Sequence, residues 1–172
     1  MLIRARFSLR SRTPQILRML AEDGARATFF CVAERAQAHP EMIRAIVAEG
    51  HKVENHTYHH TGYLRGYSPC SWRGTSRAHR VLTALAGETP GYFRTPAGMR
   101  NAAMGFVLAA QELRLISWTR RSLDSVTRDP RRMLSRLMRG LKAGDILLLH
   151  NGSSATDPDE QLMMLEVLPS LL

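Results

Sequence analysis

Two histidines four residues apart, His56 and His60 in Asn55-His56-Thr57-Tyr58-His59-His60, are the pair in this chain best suited to holding a divalent metal. Neutral imidazole nitrogens are common metal ligands, and this spacing brings two of them to one side of a helical turn or a tight loop. His59 is out of register with His56 and reads as a bystander. Two nitrogens are not a catalytic centre, however. A third ligand, usually a carboxylate, must come from elsewhere.

Three further side chains could do chemistry beside them. His150 ends the apolar run Ile146-Leu147-Leu148-Leu149 and has the titration range of a general acid. A carboxylate on its second nitrogen would fix its tautomer, and Asp124, one strand earlier, is placed to supply it. Arg94, in Phe93-Arg94-Thr95-Pro96-Ala97-Gly98, precedes a proline turn and can orient a carboxylate through its two-pronged fork. Each has a bland alternative: a polar turn, a capped core histidine, one more surface arginine.

The elements that must position these residues alternate between helix and strand. Thr13-Pro14 reads as an N-cap and first helical residue, with the helix running to Gly24. Ala27–Val32 is a short apolar run suited to a buried strand. Pro40 opens a second helix, closed by Gly50, and residues 51–55 form a strand leading into the histidines. Helices over 76–85, 102–112 and 131–141 precede strands at 92–94, 115–118 and 146–150, and residues 161–172 read as helical. Strands alternating with helices of this length predict an α/β fold with a parallel sheet, open or closed into a barrel. In that pattern His56, Arg94, Asp124 and His150 all fall at or just past the carboxyl end of a strand, the edge where α/β folds assemble chemistry.

Composition sets the limits. The 172 residues, 44% of them hydrophobic, make one domain with a real core. The net charge of +9 is mostly arginine, densest from Arg120 to Arg132 and without interleaved aromatic residues. A basic balance fits nucleic acid or an anionic envelope polymer, but charge runs are usually solvated and no nucleic-acid recognition motif is present. Two cysteines, Cys31 and Cys70, are too few for a disulfide framework. No apolar run is long enough to span a membrane and residues 1–10 lack the apolar core of a signal peptide, so the chain as written is expected in the cytoplasm.

Taken together these segments resemble the polysaccharide deacetylase family, the NodB-homology domain of carbohydrate esterase family four, over residues 13–172. Gly24–Phe30 is similar to its second-strand signature, and residues 46–60 to its helix and His-(Ser/Thr)-x-x-His metal motif. Phe93–Gly98 resembles its Arg-x-Pro motif, Ser117 through Asp124 the segment with its histidine-holding aspartate, and Ile146–His150 its Leu-x-His motif. The resemblance implies a distorted (β/α) barrel of about seven parallel strands. It further implies a hydrolase that removes N-acetyl groups from sugar residues of a polysaccharide or oligosaccharide. A divalent metal, zinc or similar, would be held by His56 and His60. By the same resemblance His150 is the acid, Asp124 holds it, and Arg94 orients the base.

The family's first motif, Thr-Phe-Asp-Asp-Gly-Pro, supplies that base and the third ligand, and it is missing here. The segment before Thr13 reads Phe7-Ser8-Leu9-Arg10-Ser11-Arg12, and the first acidic residues are Glu22 and Asp23. Residues 1–12 therefore read as an atypical leader, with a start altered by a frameshift or misplaced start codon and a first strand altered or incomplete. Ile3, Ala5, Phe7 and Leu9 do alternate onto one side, leaving a substitute first strand open. The expected consequence is a weakly held metal and impaired activity. The alternative is a non-catalytic, glycan-binding descendant of the same fold.

Overall fold

In the computed structural model, residues 2–5, 9–60, 69–98, 102–122, 129–151 and 164–172 are described. Among these residues seven strands form one sheet in the order β5-β4-β3-β2-β1-β7-β6. They are β1 (Leu2–Ala5), β2 (Thr28–Cys31), β3 (Lys52–Asn55), β4 (Tyr92–Phe93), β5 (Arg114–Leu115), β6 (Arg120–Arg121) and β7 (Leu147–Asn151). Every pairing is parallel. Apart from β1 on β7, each strand neighbours the next in sequence, so the order is that of a ring cut between β5 and β6.

Chain length forces the sheet to curl. Laid flat, six interstrand spacings would separate β5 from β6 by about 29 Å. Yet residues 116–119 alone join Leu115 to Arg120, a reach of at most about 18 Å. The edges must therefore approach, although no β5–β6 ladder forms among the described residues. The alternating pattern predicts such a parallel α/β sheet, and its curl follows the distorted barrel that the family resemblance implies.

Side-chain alternation divides the strands between two buried faces. Phe29, Cys31, Val53, Leu147 and Leu149 pack outward on the helices. Their partners are Ile16, Leu17 and Leu20 of α1 (Leu9–Glu22), Ile43 and Ile46 of α3 (Pro40–Ala48), Ala78 and Leu82 of α4 (Pro69–Ala86), and Met133 and Leu137 of α6 (Pro130–Met138). Phe93 packs separately with Met104 and Leu108 of α5 (Ala102–Ala109). Phe30, Glu54, Leu148 and His150 alternate with these residues on the inner face and are also buried. Burial on both faces is what a closed parallel sheet requires.

Three expectations are corrected. The first helix begins at Leu9, not Thr13, and carries Pro14 in its second turn. Proline there has no N–H to donate to the Arg10 carbonyl, so α1 forgoes that bond. A short helix, α2 (Ala33–Ala38), intervenes between β2 and α3, where the sequence reading placed no element. The single strand expected at 115–118 is two, β5 and β6, separated by the linker that carries Trp118.

The segment read as a leader supplies β1, which sits at the centre of the sheet. Its Ile3 lies in register with Phe29 on one side and Leu149 on the other. Its last residue, Ala5, is level with Cys31 and Asn151.

Candidate active site

Strand register brings the chemistry-bearing residues to one rim. Ala5, Cys31, Asn55 and Phe93 share a level across β1 to β4, and Asn151 is level with Ala5 on β7. His56 and Arg94 are one residue beyond that level, at the carboxyl ends of β3 and β4. His150 is one residue below it on β7, inward beside Leu148, and 6% exposed. Asp124 lies outside the described residues; Ser122, just past β6, is the nearest described position.

The histidine pair sits on a strained loop rather than a helical turn. Thr57 and His60 adopt φ of 69° and 61°, in the left-handed region. A β-branched residue there is a real outlier, and such strain costs on the order of 1–3 kcal/mol per residue. Hydrogen bonds hold it in place. The Thr57 amide donates to Asn55 Oδ1 (2.9 Å) and the His60 amide to Thr57 Oγ1 (3.1 Å). The Thr57 and Tyr58 carbonyls accept from the amides of Ala33 and Glu34 at the start of α2, the helix that sequence reasoning missed. Asn55 Nδ2 ties the loop's base to the Thr75 carbonyl on α4.

This loop sets the rings. The His56 and His60 centroids are 4.9 Å apart at 60°, and both residues are buried. His56 Nδ1 lies 2.7 Å from the Arg94 carbonyl oxygen. A carbonyl only accepts, so neutral His56 carries its proton on Nδ1 and its lone pair on Nε2, the tautomer a metal ligand needs. His59 instead turns outward, 53% exposed, with Nδ1 3.3 Å from Glu34. Two rings this close can offer nitrogens to one ion at bonds of about 2.1 Å. Among the described residues no cluster of three or more His, Cys, Asp or Glu side chains is assembled, so the donor set fits a metal only in part.

Arg94 is the largest fully buried side chain among the described residues, 1% exposed. Its guanidinium carbon sits 4.2 Å from the Phe30 ring centroid, and Nη2 donates to the Ser117 carbonyl (3.2 Å). Among the described residues Nε and Nη1 have no hydrogen-bond partner, and no carboxylate pairs with the group. Burial lowers its pKa to about 10. The loop after it is clamped to the β5–β6 linker. Gly98, at φ 75°, would place an added Cβ 2.6 Å from Trp118, so this position requires glycine for both conformation and space.

Sequence reasoning passed over Glu54, whose neighbours gave it no motif to belong to. It is 6% exposed on the inner face of β3, and its Oε2 accepts from the Tyr92 amide (2.7 Å), with the Gly91 amide also donating. It thereby secures the start of β4, where β3 and β4 share a single register pair. Burial raises its pKa, and the two amide bonds partly oppose that shift. Cys31 is a sealed core thiol, its pKa raised to about 12 by burial and then by Glu54.

A curled parallel sheet thus carries at its carboxyl rim a fixed-tautomer histidine pair, a buried arginine and a further histidine. The family model for polysaccharide deacetylase matches residues 7–116, and the chain belongs to that family. It is 30% identical over 162 residues to a chitooligosaccharide deacetylase of Sinorhizobium fredii, covering 86% of this chain and 68% of that protein. It is 29% identical over 144 residues to a peptidoglycan-N-acetylglucosamine deacetylase of Bacillus cereus, covering 83% of this chain and 67% of that one. The chain thus spans about two thirds of the length of these relatives. In fold it matches a carbohydrate esterase family 4 pseudoenzyme from Bacillus anthracis, with a TM-score of 0.85 at 23% identity over 99% of this chain and 57% of that one. A mutant of that pseudoenzyme with restored enzymatic activity matches at a TM-score of 0.86, also at 23% identity, over 99% of this chain and 59% of the mutant.

Proposed function

We propose that this domain is a metal-dependent hydrolase for N-acetyl groups on sugar residues of a polysaccharide, with activity impaired in this chain. The observation that carries the reading is the His56–His60 pair at the barrel rim, with His56 fixed by the Arg94 carbonyl in its ligand tautomer. Support for the substrate class comes from relatives named for peptidoglycan N-acetylglucosamine and chitooligosaccharides.

A divalent metal bound there would supply Lewis acidity and a more acidic water. The chain's own residues have separate tasks. His60 and His56 offer nitrogens from a loop held in advance by hydrogen bonds, so little ordering remains for binding. His150, inward on β7, protonates the leaving amine, with Asp124 orienting its ring. Arg94 is built to receive a carboxylate base that the segment after β1 lacks: no acidic residue precedes Glu22. Loss of a general base costs about 10²–10⁴-fold in rate, and loss of an anionic ligand weakens the metal site further.

The second reading, a non-catalytic glycan-binding descendant, is favoured by the buried Arg94 and by the pseudoenzyme of the same fold. Calorimetric zinc titration, together with acetate release from a chitin oligomer, separates them. The native chain is compared with a version carrying Asp-Asp-Gly-Pro after β1. Weak zinc binding that tightens in the restored version, with turnover rising at least about 100-fold, supports the impaired hydrolase. Glycan binding with no turnover in either version supports the descendant. Absence of zinc binding in both overturns the metal assignment.

A further inference from the structure

We propose that the flank of α6 is a docking groove for an acidic polysaccharide, a polymer whose sugars carry carboxylates. The groove is a cavity of about 440 Å³ lined by Arg131, Arg132, Ser135, Arg136 and Arg139. The helix turns Met133 and Leu137 into the core, which leaves its arginines on the outer side. Over eight residues from Arg131 to Arg139 these cations extend about 12 Å along the helix axis.

The charge is concentrated and scarcely compensated. Residues 130–139 contain no acidic residue. Asp129 caps the helix, its Oδ1 accepting from the Arg131 and Arg132 amides, and its Oδ2 lies 3.3 Å from Arg132 Nε. No carboxylate among the described residues pairs with Arg131, Arg136 or Arg139. Arg132 and Arg136 at i, i+4 repel each other, a spacing that costs an isolated helix about 0.2–0.5 kcal/mol. An anion lying in the groove would remove that repulsion and meet guanidinium forks suited to carboxylates.

The groove is also stiffly mounted. Arg120 on β6 donates to the Arg139 and Gly140 carbonyls and pairs with Asp145 at 2.7 Å, fastening the carboxyl end of α6. Asp145 is itself held near pKa 2, chiefly by that Arg120 bond. The amino end of α6 follows β6, whose carboxyl end belongs to the same rim as His56 and Arg94. A polymer held along the helix would therefore reach the rim where the histidines sit.

Glycan is favoured over single-stranded nucleic acid because binding of exposed bases relies on aromatic stacking platforms, and none of the described residues lining this groove is aromatic. A neutral glycan would gain nothing from four guanidinium groups. The choice of a glycan rests on the deacetylase reading; the binding itself does not need turnover.

The test is fluorescence anisotropy of labelled polygalacturonate oligomers with the full chain, at several salt concentrations between 50 and 200 mM. A neutral chitin hexamer and oligo-dT serve as comparison probes. The variant R131Q/R136Q/R139Q keeps Arg132 and its cap, and its melting curve checks folding; the single variant R136E provides an independent reading. Expected are saturable binding of polygalacturonate, at least about tenfold loss in the triple variant, and a salt slope shallower by about 2 for three contacts at about 0.7 each. Unchanged affinity in both variants overturns the groove. Tighter binding of oligo-dT than of polygalacturonate overturns the glycan. Neither result depends on zinc binding or acetate release, so this proposal and the deacetylase reading fail separately.

Discussion

Arg94 concentrates the chemistry of this chain at a single residue. A guanidinium that is 1% exposed, with two nitrogens lacking acceptors and no carboxylate beside it among the described residues, carries a desolvation cost that Phe30 and the Ser117 carbonyl offset only in part. Replacing a buried charge by an apolar side chain of similar volume is often neutral or stabilising. Arg94→Met should therefore raise stability by about 1–3 kcal/mol in urea unfolding. A loss of about 3–5 kcal/mol would instead mean that a carboxylate partner is being stripped away. The sequence marks Arg94, before its proline turn, as an arginine able to orient a carboxylate, but its burial and its lack of a carboxylate partner among the described residues come from packing and are not legible there. The histidine pair was visible because four-residue spacing is a local property. The left-handed backbone at Thr57 and His60 depends on contacts from α2 and was not.

At the scale of elements, β4 is the weak member of the sheet. It has two residues and one register pair with β3, and the inner-face carboxylate of Glu54 takes over part of the bonding a longer ladder would provide. Because burial raises the folded pKa of Glu54 above its unfolded value, near 4.5, its contribution to stability is fullest below that value. The contribution is lost as pH rises through the folded pKa. Glu54→Gln keeps an acceptor for the amides and removes the buried charge. The variant should equal or exceed the native chain in stability at pH 7, with the difference closing as pH falls to 4. Urea midpoints measured across that range decide it. A variant weaker at pH 7 by more than about 1.5 kcal/mol would mean that the charged bonds outweigh their desolvation. Element boundaries were legible where punctuation was strong, as at Pro40 and Gly50. They were misplaced where it was ambiguous. Thr13-Pro14 imitates a helix start inside α1, and two two-residue strands around Trp118 have no periodicity to detect.

For the whole molecule, cyclic strand order and a short β5–β6 linker together define the fold; the parallel α/β character follows from an alternation readable in sequence, the linker does not. The sequence leaves the first strand open, because residues 1–12 lack the expected motif although Ile3, Ala5, Phe7 and Leu9 alternate, and β1 takes its place between β2 and β7. That place makes it decisive. Deleting a central strand leaves two part-sheets, β2 to β5 and β6 to β7, with both inner edges of the break unpaired, and exposed edges invite association rather than folding. A chain beginning at residue 13 would also lose the first turn of α1. It should show no cooperative thermal transition and should aggregate, whereas the full chain melts in one step. If residues 1–12 were a dispensable leader, the shortened chain would melt within a few degrees of the full one. Circular dichroism of the two chains distinguishes a strand that was rewritten but kept from a segment the barrel does not need.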